Sequence, residues 1–284
     1  MKTKIIGVPL NFGANKCGLE FSIDNFVERY PEYKEKIKIL EVEKQTEDFS
    51  IKKVKYINTV SKICEKLAEN VNEVIKNNDF PISLGGDHAI AIGSIAGVSK
   101  EKKVGLLWID AHGDMNTPDI SSTGHIHGMS LATSLGYGHS KLINGFFSGI
   151  KVKKEDVILF GTRDIDVKEQ KLIDELGIKN YTWEKIQKMG FEKALEEVRK
   201  FFRKRNLHIS LDLDVIDPRE ITAVGTPVVG GLTREMGKIL ISEMIDTASV
   251  TSIDIAEYNP IYEKNGETCE YIYELLQLIE EEIN

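Results

Sequence analysis

Asp110, His112 and Asp114 stand at alternate positions of one short segment, directly after the apolar run 104–109. Side chains alternate across an extended chain, so these three can point into one crevice at the carboxyl end of a strand. Two carboxylates and an imidazole that close together are costly unless something positive sits between them. A metal cluster is the simplest chemistry available to them. A second acidic turn repeats the pattern where the run 207–211 meets Asp212-Leu213-Asp214, and a third strand end supplies His88 in Gly85-Gly86-Asp87-His88. Oxygen and imidazole donors without thiolate suit manganese, iron(II) or zinc at a catalytic site more than a structural zinc. Six such side chains are too many for one catalytic ion with an open position. Two ions about 3.5 Å apart, bridged by a water or hydroxide, would use them and lower the pKa of that water.

Single acidic turns are ordinary, and Asp87, Asp119 and Asp164 taken alone read as residues that close turns through their own backbone. Of the six histidines, His125 and His127 lie in the loop 123–128, while His208 reads as a strand residue and His139 as a surface-loop residue.

Elements must bring these ends together. Apolar runs predict strands at 4–8, 36–40, 80–84, 104–109, 156–161, 207–211 and 250–255, the last delivering Glu257. Apolar residues at helical spacing predict helices over 56–75, after 89, over 191–202, behind a Thr233 cap and over 268–283. Residues 11–20, with Gly13 and Gly18, read as loop, and Cys64 as a buried thiol. Alternating strands and helices imply an α/β fold: one mainly parallel sheet between two helical layers, in a single domain over 1–284. Ligands of such sheets bind outside the carboxyl ends of the strands, where the candidate ligands fall.

The balance of 37 basic against 45 acidic side chains, net charge -8, argues against nucleic acid or anionic membrane as partners. Three dispersed cysteines without CxxC spacing indicate neither a disulfide framework nor a zinc ribbon and fit a reducing compartment. Neither a signal peptide nor a membrane-spanning run is read, so a soluble cytoplasmic protein is expected.

The motifs together resemble the ureohydrolases, the binuclear manganese enzymes that include arginases and agmatinases. They are GGDHA (85–89), DAHGDMNTP (110–118), TGHIHG (123–128), SLDLDVIDP (210–218), GTPVVGGLTRE (225–235) and EYNP (257–260), in the family's order over nearly the whole chain, with KCGLE (16–20) like its glycine-containing loop. The resemblance implies two Mn(II) per subunit: His88, Asp110, Asp114 and Asp212 around one, His112, Asp110, Asp212 and Asp214 around the other, with Asp110 and Asp212 bridging. It implies attack of a metal-bound hydroxide on a guanidinium carbon, with Asp114 orienting the hydroxide, His127 shuttling a proton to the leaving amine and Glu257 gripping the guanidinium with both oxygens. L-arginine is the substrate expected, cleaved to L-ornithine and urea. Asn116, Thr123 and His125 would meet its α-carboxylate, Asp166 its α-amino group with Glu169 in support, and Thr226 would complete the contacts.

Two segments depart from the arginase pattern. The usual Ser-Gly-Asn is here Thr123-Gly124-His125, and Val215 stands where arginases tend to have glycine, as in agmatinases. Agmatinase or another guanidino-compound hydrolase is therefore the alternative. A metal-dependent deacylase or a catalytically silent metal-binding protein is the remaining one. The family also implies a homo-oligomer, trimer or hexamer.

Overall fold

A computed structural model describes residues 1–14, 16–48 and 53–284, so Asn15, within the expected loop 11–20, lies outside the described residues. Eight strands form one sheet: β1 (Thr3–Gly7), β2 (Ile37–Ile39), β3 (Phe80–Leu84), β4 (Gly105–Ile109), β5 (Val157–Phe160), β6 (Lys179–Tyr181), β7 (Asn206–Asp212) and β8 (Ser249–Ala256). Their order is β2-β1-β3-β8-β7-β4-β5-β6, and every pairing is parallel. The seven expected strands are present. The eighth, β6, was not foreseen: it is a three-residue edge strand in which only Tyr181 is buried, so it carries no apolar run.

Ten helices cover the sheet: α1 (Ser22–Arg29), α2 (Ile57–Lys76), α3 (Ile90–Ser99), α4 (Ser130–Ser134), α5 (Ser140–Ile143), α6 (Val167–Leu176), α7 (Trp183–Met189), α8 (Phe191–Phe202), α9 (Arg234–Thr247) and α10 (Glu267–Ile283). Thr233 caps α9 as expected, its hydroxyl oxygen accepting the N–H of Met236 at 3.1 Å. Strand residues alternate between two apolar layers. Leu107, Ile109, Ile158 and Phe160 face α8, α9 and α10, whereas Leu106, Trp108, Val157 and Leu159 face α2 and α3. Because both faces are covered, the central strands are apolar throughout, the reason their runs are continuous in sequence. Among the described residues no helix is long and apolar enough to cross a membrane.

Candidate metal centre

Register brings four strand ends to one level. Ile109 of β4 lies opposite Leu211 of β7, and Leu211 and Leu84 both lie opposite Ile255 of β8. Asp110, Asp212, the turn 85–88 and Glu257 therefore emerge side by side. The turn is tied across the sheet: Gly85 donates its N–H to the Ile255 carbonyl and Glu257 donates to the Gly86 carbonyl, both at 2.9 Å. Gly86 has φ 75°, and a Cβ there would stand 2.4 Å from the Val8 carbonyl oxygen. No side chain fits. Asp87 is the turn residue expected of it, accepting N–H bonds from Gly13 at 2.8 Å, Ala14 at 3.2 Å and Ala89 at 3.0 Å.

His88 sits at the centre of the buried donors. Its Nδ1 lies 3.1 Å from Asp110 Oδ2 and 3.2 Å from both Asp114 Oδ2 and Asp212 Oδ2. Its Nε2 lies 2.9 Å from Ser210 Oγ, and the Ser210 hydroxyl donates to Asp254 Oδ1 at 2.7 Å. A hydroxyl has one hydrogen, so Oγ accepts from Nε2–H, and a neutral His88 turns a lone pair at Nδ1 toward three carboxylate oxygens. Even a protonated Nδ1 could not satisfy all three, and Asp114 Oδ2 is buried without a hydrogen bond. This donor set fits a divalent cation. Asp110, His112 and Asp214 form a second group, with His112 Nδ1 at 3.4 Å from Asp110 Oδ1 and 3.0 Å from Asp214 Oδ2. Asp110 belongs to both groups, and Asp212 adjoins the first.

The electrostatics express the same crowding. Burial, then repulsion from Asp214 and Asp110, holds the Asp212 carboxyl well above the usual range. Burial and Asp110 push Asp114 up to about 6. Burial alone would lower His88, but the three carboxylates that face its Nδ1 outweigh that and raise it well above its ordinary value. Each shift follows from carboxylates crowded together away from water.

Beside this cluster, Glu257 Oε1 accepts the backbone N–H of His88 at 2.8 Å and lies 3.2 Å from His127 Nδ1. A carboxylate only accepts, so Nδ1 carries the hydrogen and Nε2 is the nitrogen left to exchange a proton. Burial opposes charge on His127, but Glu257 overrides it and raises the ring to about 9. With two donors on Oε1, the acceptor sites left on the Glu257 carboxylate are those of Oε2. Glu257 and Asp114 both adopt left-handed backbone, φ 69° and 45°, a conformation disfavoured for non-glycine residues and held here by the surrounding bonds.

The expected substrate residues form a more open rim. Asn116 is anchored by its backbone N–H to the Gly128 carbonyl at 3.0 Å, and its Oδ1 is buried without a partner. Thr123 is exposed and accepts the His125 N–H at 3.3 Å. Asp166 is exposed at the amino end of α6, forming a capping box with Glu169. Glu169 is the acid expected in support of Asp166. It is buried, and its oxygens accept the N–H of Met115 at 2.9 Å and of Asp166 at 3.2 Å, so its support for Asp166 passes through the backbone. Thr226 donates to Asp214 Oδ2 at 2.9 Å and steadies a candidate ligand. Val215 is buried against Gly161, a packing role.

Several supporting residues carry no sequence motif. Trp108 donates its indole N–H to Asp110 Oδ2 at 2.9 Å and stacks on His88, ring centroids 4.2 Å apart. Asp254, inside β8, accepts from Ser210 and Ser94 and lies 2.7 Å from Nε2 of His208, whose Nδ1 is 2.6 Å from Ser252 Oγ. Arg163 donates to the carbonyls of Gly161, Asp214, Val215 and Val228, tying the ends of β5 and β7 to the loop that carries Thr226. A buried Asp or Trp within an apolar run is the signal that could have found the first two, since each needs a polar partner.

The arginase family model matches residues 1–279. An arginase of Bacillus subtilis (strain 168) is 42% identical over 226 residues, covering 79% of this chain and 76% of its own. The crystal structure of an arginase from Bacillus cereus superposes with a TM-score of 0.89 at 35% identity, over 98% of this chain and 97% of the other. An Entamoeba histolytica arginase solved in complex with L-ornithine gives 0.88 at 32% identity, over 98% of each chain.

Proposed function

The chain belongs to the arginase family and is a metal-dependent ureohydrolase, and from that premise we propose that it cleaves L-arginine to L-ornithine and urea with two Mn(II) per subunit. The observation that carries the reading is the juxtaposition of Glu257 and His127, 3.2 Å apart, with the two donor groups that share Asp110. His88, Asp110, Asp114 and Asp212 would hold one ion, and His112, Asp110, Asp212 and Asp214 the other. Bound there, the ions would neutralise the crowded carboxylates and lower the pKa of a water between them.

This chain's residues do the rest. Glu257 Oε2 accepts from the planar N–H fork of the guanidinium and holds its carbon over the donor cluster. Asp114 Oδ2, without a protein donor, accepts a hydrogen bond from the attacking water and sets its direction. His127 is charged at neutral pH and gives the proton at Nε2 to the departing amine, while Glu257 keeps the ring oriented through Nδ1. Asn116, Thr123 and His125 receive the α-carboxylate and Asp166 the α-amino group, with Glu169 fixing the Asp166 backbone and Thr226 fixing Asp214. L-ornithine bound to the related amoebic enzyme supports a site with this product chemistry.

Steady-state urea release from L-arginine and from agmatine, with manganese present, tests the reading. A site that engages both α-groups discriminates strongly against an analogue lacking one. A higher kcat/KM for agmatine overturns the L-arginine assignment and favours the agmatinase alternative. The oligomer we propose is a trimer or hexamer in the cytoplasm, read by light scattering against the 32.0 kDa chain.

A further inference from the structure

Lys55 belongs to no motif, yet its Nζ lies 3.0 Å from Nε2 of His125. An ammonium only donates, so Nε2 accepts and the ring hydrogen of His125 sits on Nδ1. The contact is fixed by more than the lysine side chain. Lys55 donates its backbone N–H to the Gly124 carbonyl at 2.8 Å, which staples this segment to the loop 123–128. Tyr56, with φ 53°, then turns the chain into α2, its ring 5.2 Å from that of Phe12. Gly13, next to Phe12, accepts the N–H of His127 at 3.2 Å. Residues 12–13, 55–56 and 124–127 thus form one fastened corner beside the catalytic candidates.

His125 itself carries no charge. Burial and then the Lys55 ammonium hold the ring down to about 4. Lys55 is therefore the cation that meets the His125 ring directly, and a cation on one ring nitrogen strengthens the donor on the other. We propose that Lys55 is a positioning and specificity-determining residue that acts through His125, polarising Nδ1–H toward the carboxylate of an α-amino acid substrate and disfavouring guanidino compounds that end in an amine. The inference rests on the L-arginine reading above and names a residue for its selectivity.

The test is steady-state kinetics of the manganese-loaded wild type, Lys55→Met and Lys55→Arg on L-arginine and agmatine over a range of sodium chloride. Lys55→Met raises KM for L-arginine about fivefold, the upper range for an exposed charge. Its turnover number on L-arginine stays close to wild type, and kcat/KM for agmatine does not fall. Lys55→Arg recovers most of the loss. Added salt raises the wild-type KM for L-arginine more than that of Lys55→Met, because the former depends on one more screenable charge. Equal losses on both substrates, or no change on either, overturn the role of Lys55. A wild type that prefers agmatine overturns the L-arginine reading and this inference with it, whereas a wild type that prefers L-arginine with an unmoved Lys55→Met ratio overturns this inference alone.

Discussion

His88 and His125 are both turn histidines at the carboxyl edge of the sheet, and their surroundings differ at every atom. His88 is fully buried, stacked on Trp108, bonded at Nε2 to Ser210 and surrounded at Nδ1 by three carboxylates. His125 is partly exposed, and among the described residues its ring has one hydrogen-bond partner, an exposed lysine. The first environment holds both ring nitrogens before any ligand arrives; the second holds one, from a corner whose backbone is fastened. On the proposed function, chemistry is placed where geometry is over-determined, and selectivity where few contacts set it.

The largest effects therefore belong to the interior. Asp212→Asn is expected to lower kcat roughly a thousandfold, about 4 kcal/mol, with loss of bound metal. Metal analysis beside the kinetics checks this, and full metal content with near-normal turnover would remove Asp212 from the centre. Chelation of the wild type is expected to lower its melting temperature by about 10 °C, since a ligand at a thousand times its Kd adds about 4 kcal/mol. Calorimetry before and after manganese is restored measures it. An unchanged transition would mean the carboxylates tolerate one another without a cation, contrary to the crowding around His88.

One step further out, Ser210→Ala cuts the link between His88 and Asp254. Loss of such a partner weakens metal binding about ten- to hundredfold and leaves the sheet intact. Manganese titration by calorimetry reads the affinity, and circular dichroism the fold. Unaltered affinity in a folded variant would make the Ser210–Asp254 chain a matter of core packing alone.

The same contrast explains what could be read in the sequence. The central strands were legible because both faces are buried, so 104–109 and 207–211 are spelled in apolar residues that stop where the ligands begin. Asp110, His112, Asp114, Asp212 and Asp214 follow at steps of two, and periodicity reports such spacing. Asp254 was read only as part of a strand because its meaning lies in pairing: it is opposite Ser210, and His208 opposite Ser252, in a register no local pattern contains. Edge strand β6 lacked the apolar run. Asp166 and Glu169 looked alike as loop acids, yet one caps α6 in the open and the other is buried under Met115. Lys55 had no signal, since a lysine before a helix is ordinary until its neighbour across the fold is known.

The smallest expected effect sharpens the comparison most, because the same substitution can be made at both histidines. His125→Asn installs the amide usual in arginases and removes the acceptor that Lys55 uses. The ring of His125 is 6.2 Å from that of His127, the group proposed to transfer the proton, and so beyond hydrogen-bond reach of it. Binding should therefore change more than turnover, with KM for L-arginine moving about threefold, within the range of one exposed polar contact, and kcat little altered. His88→Asn, by contrast, removes a ring enclosed on every side and is expected to lose metal and activity together. If His125→Asn abolishes turnover while manganese content is retained, His125 acts in the chemical step and the division between a fixed interior and an adjustable rim fails at the position that defines it.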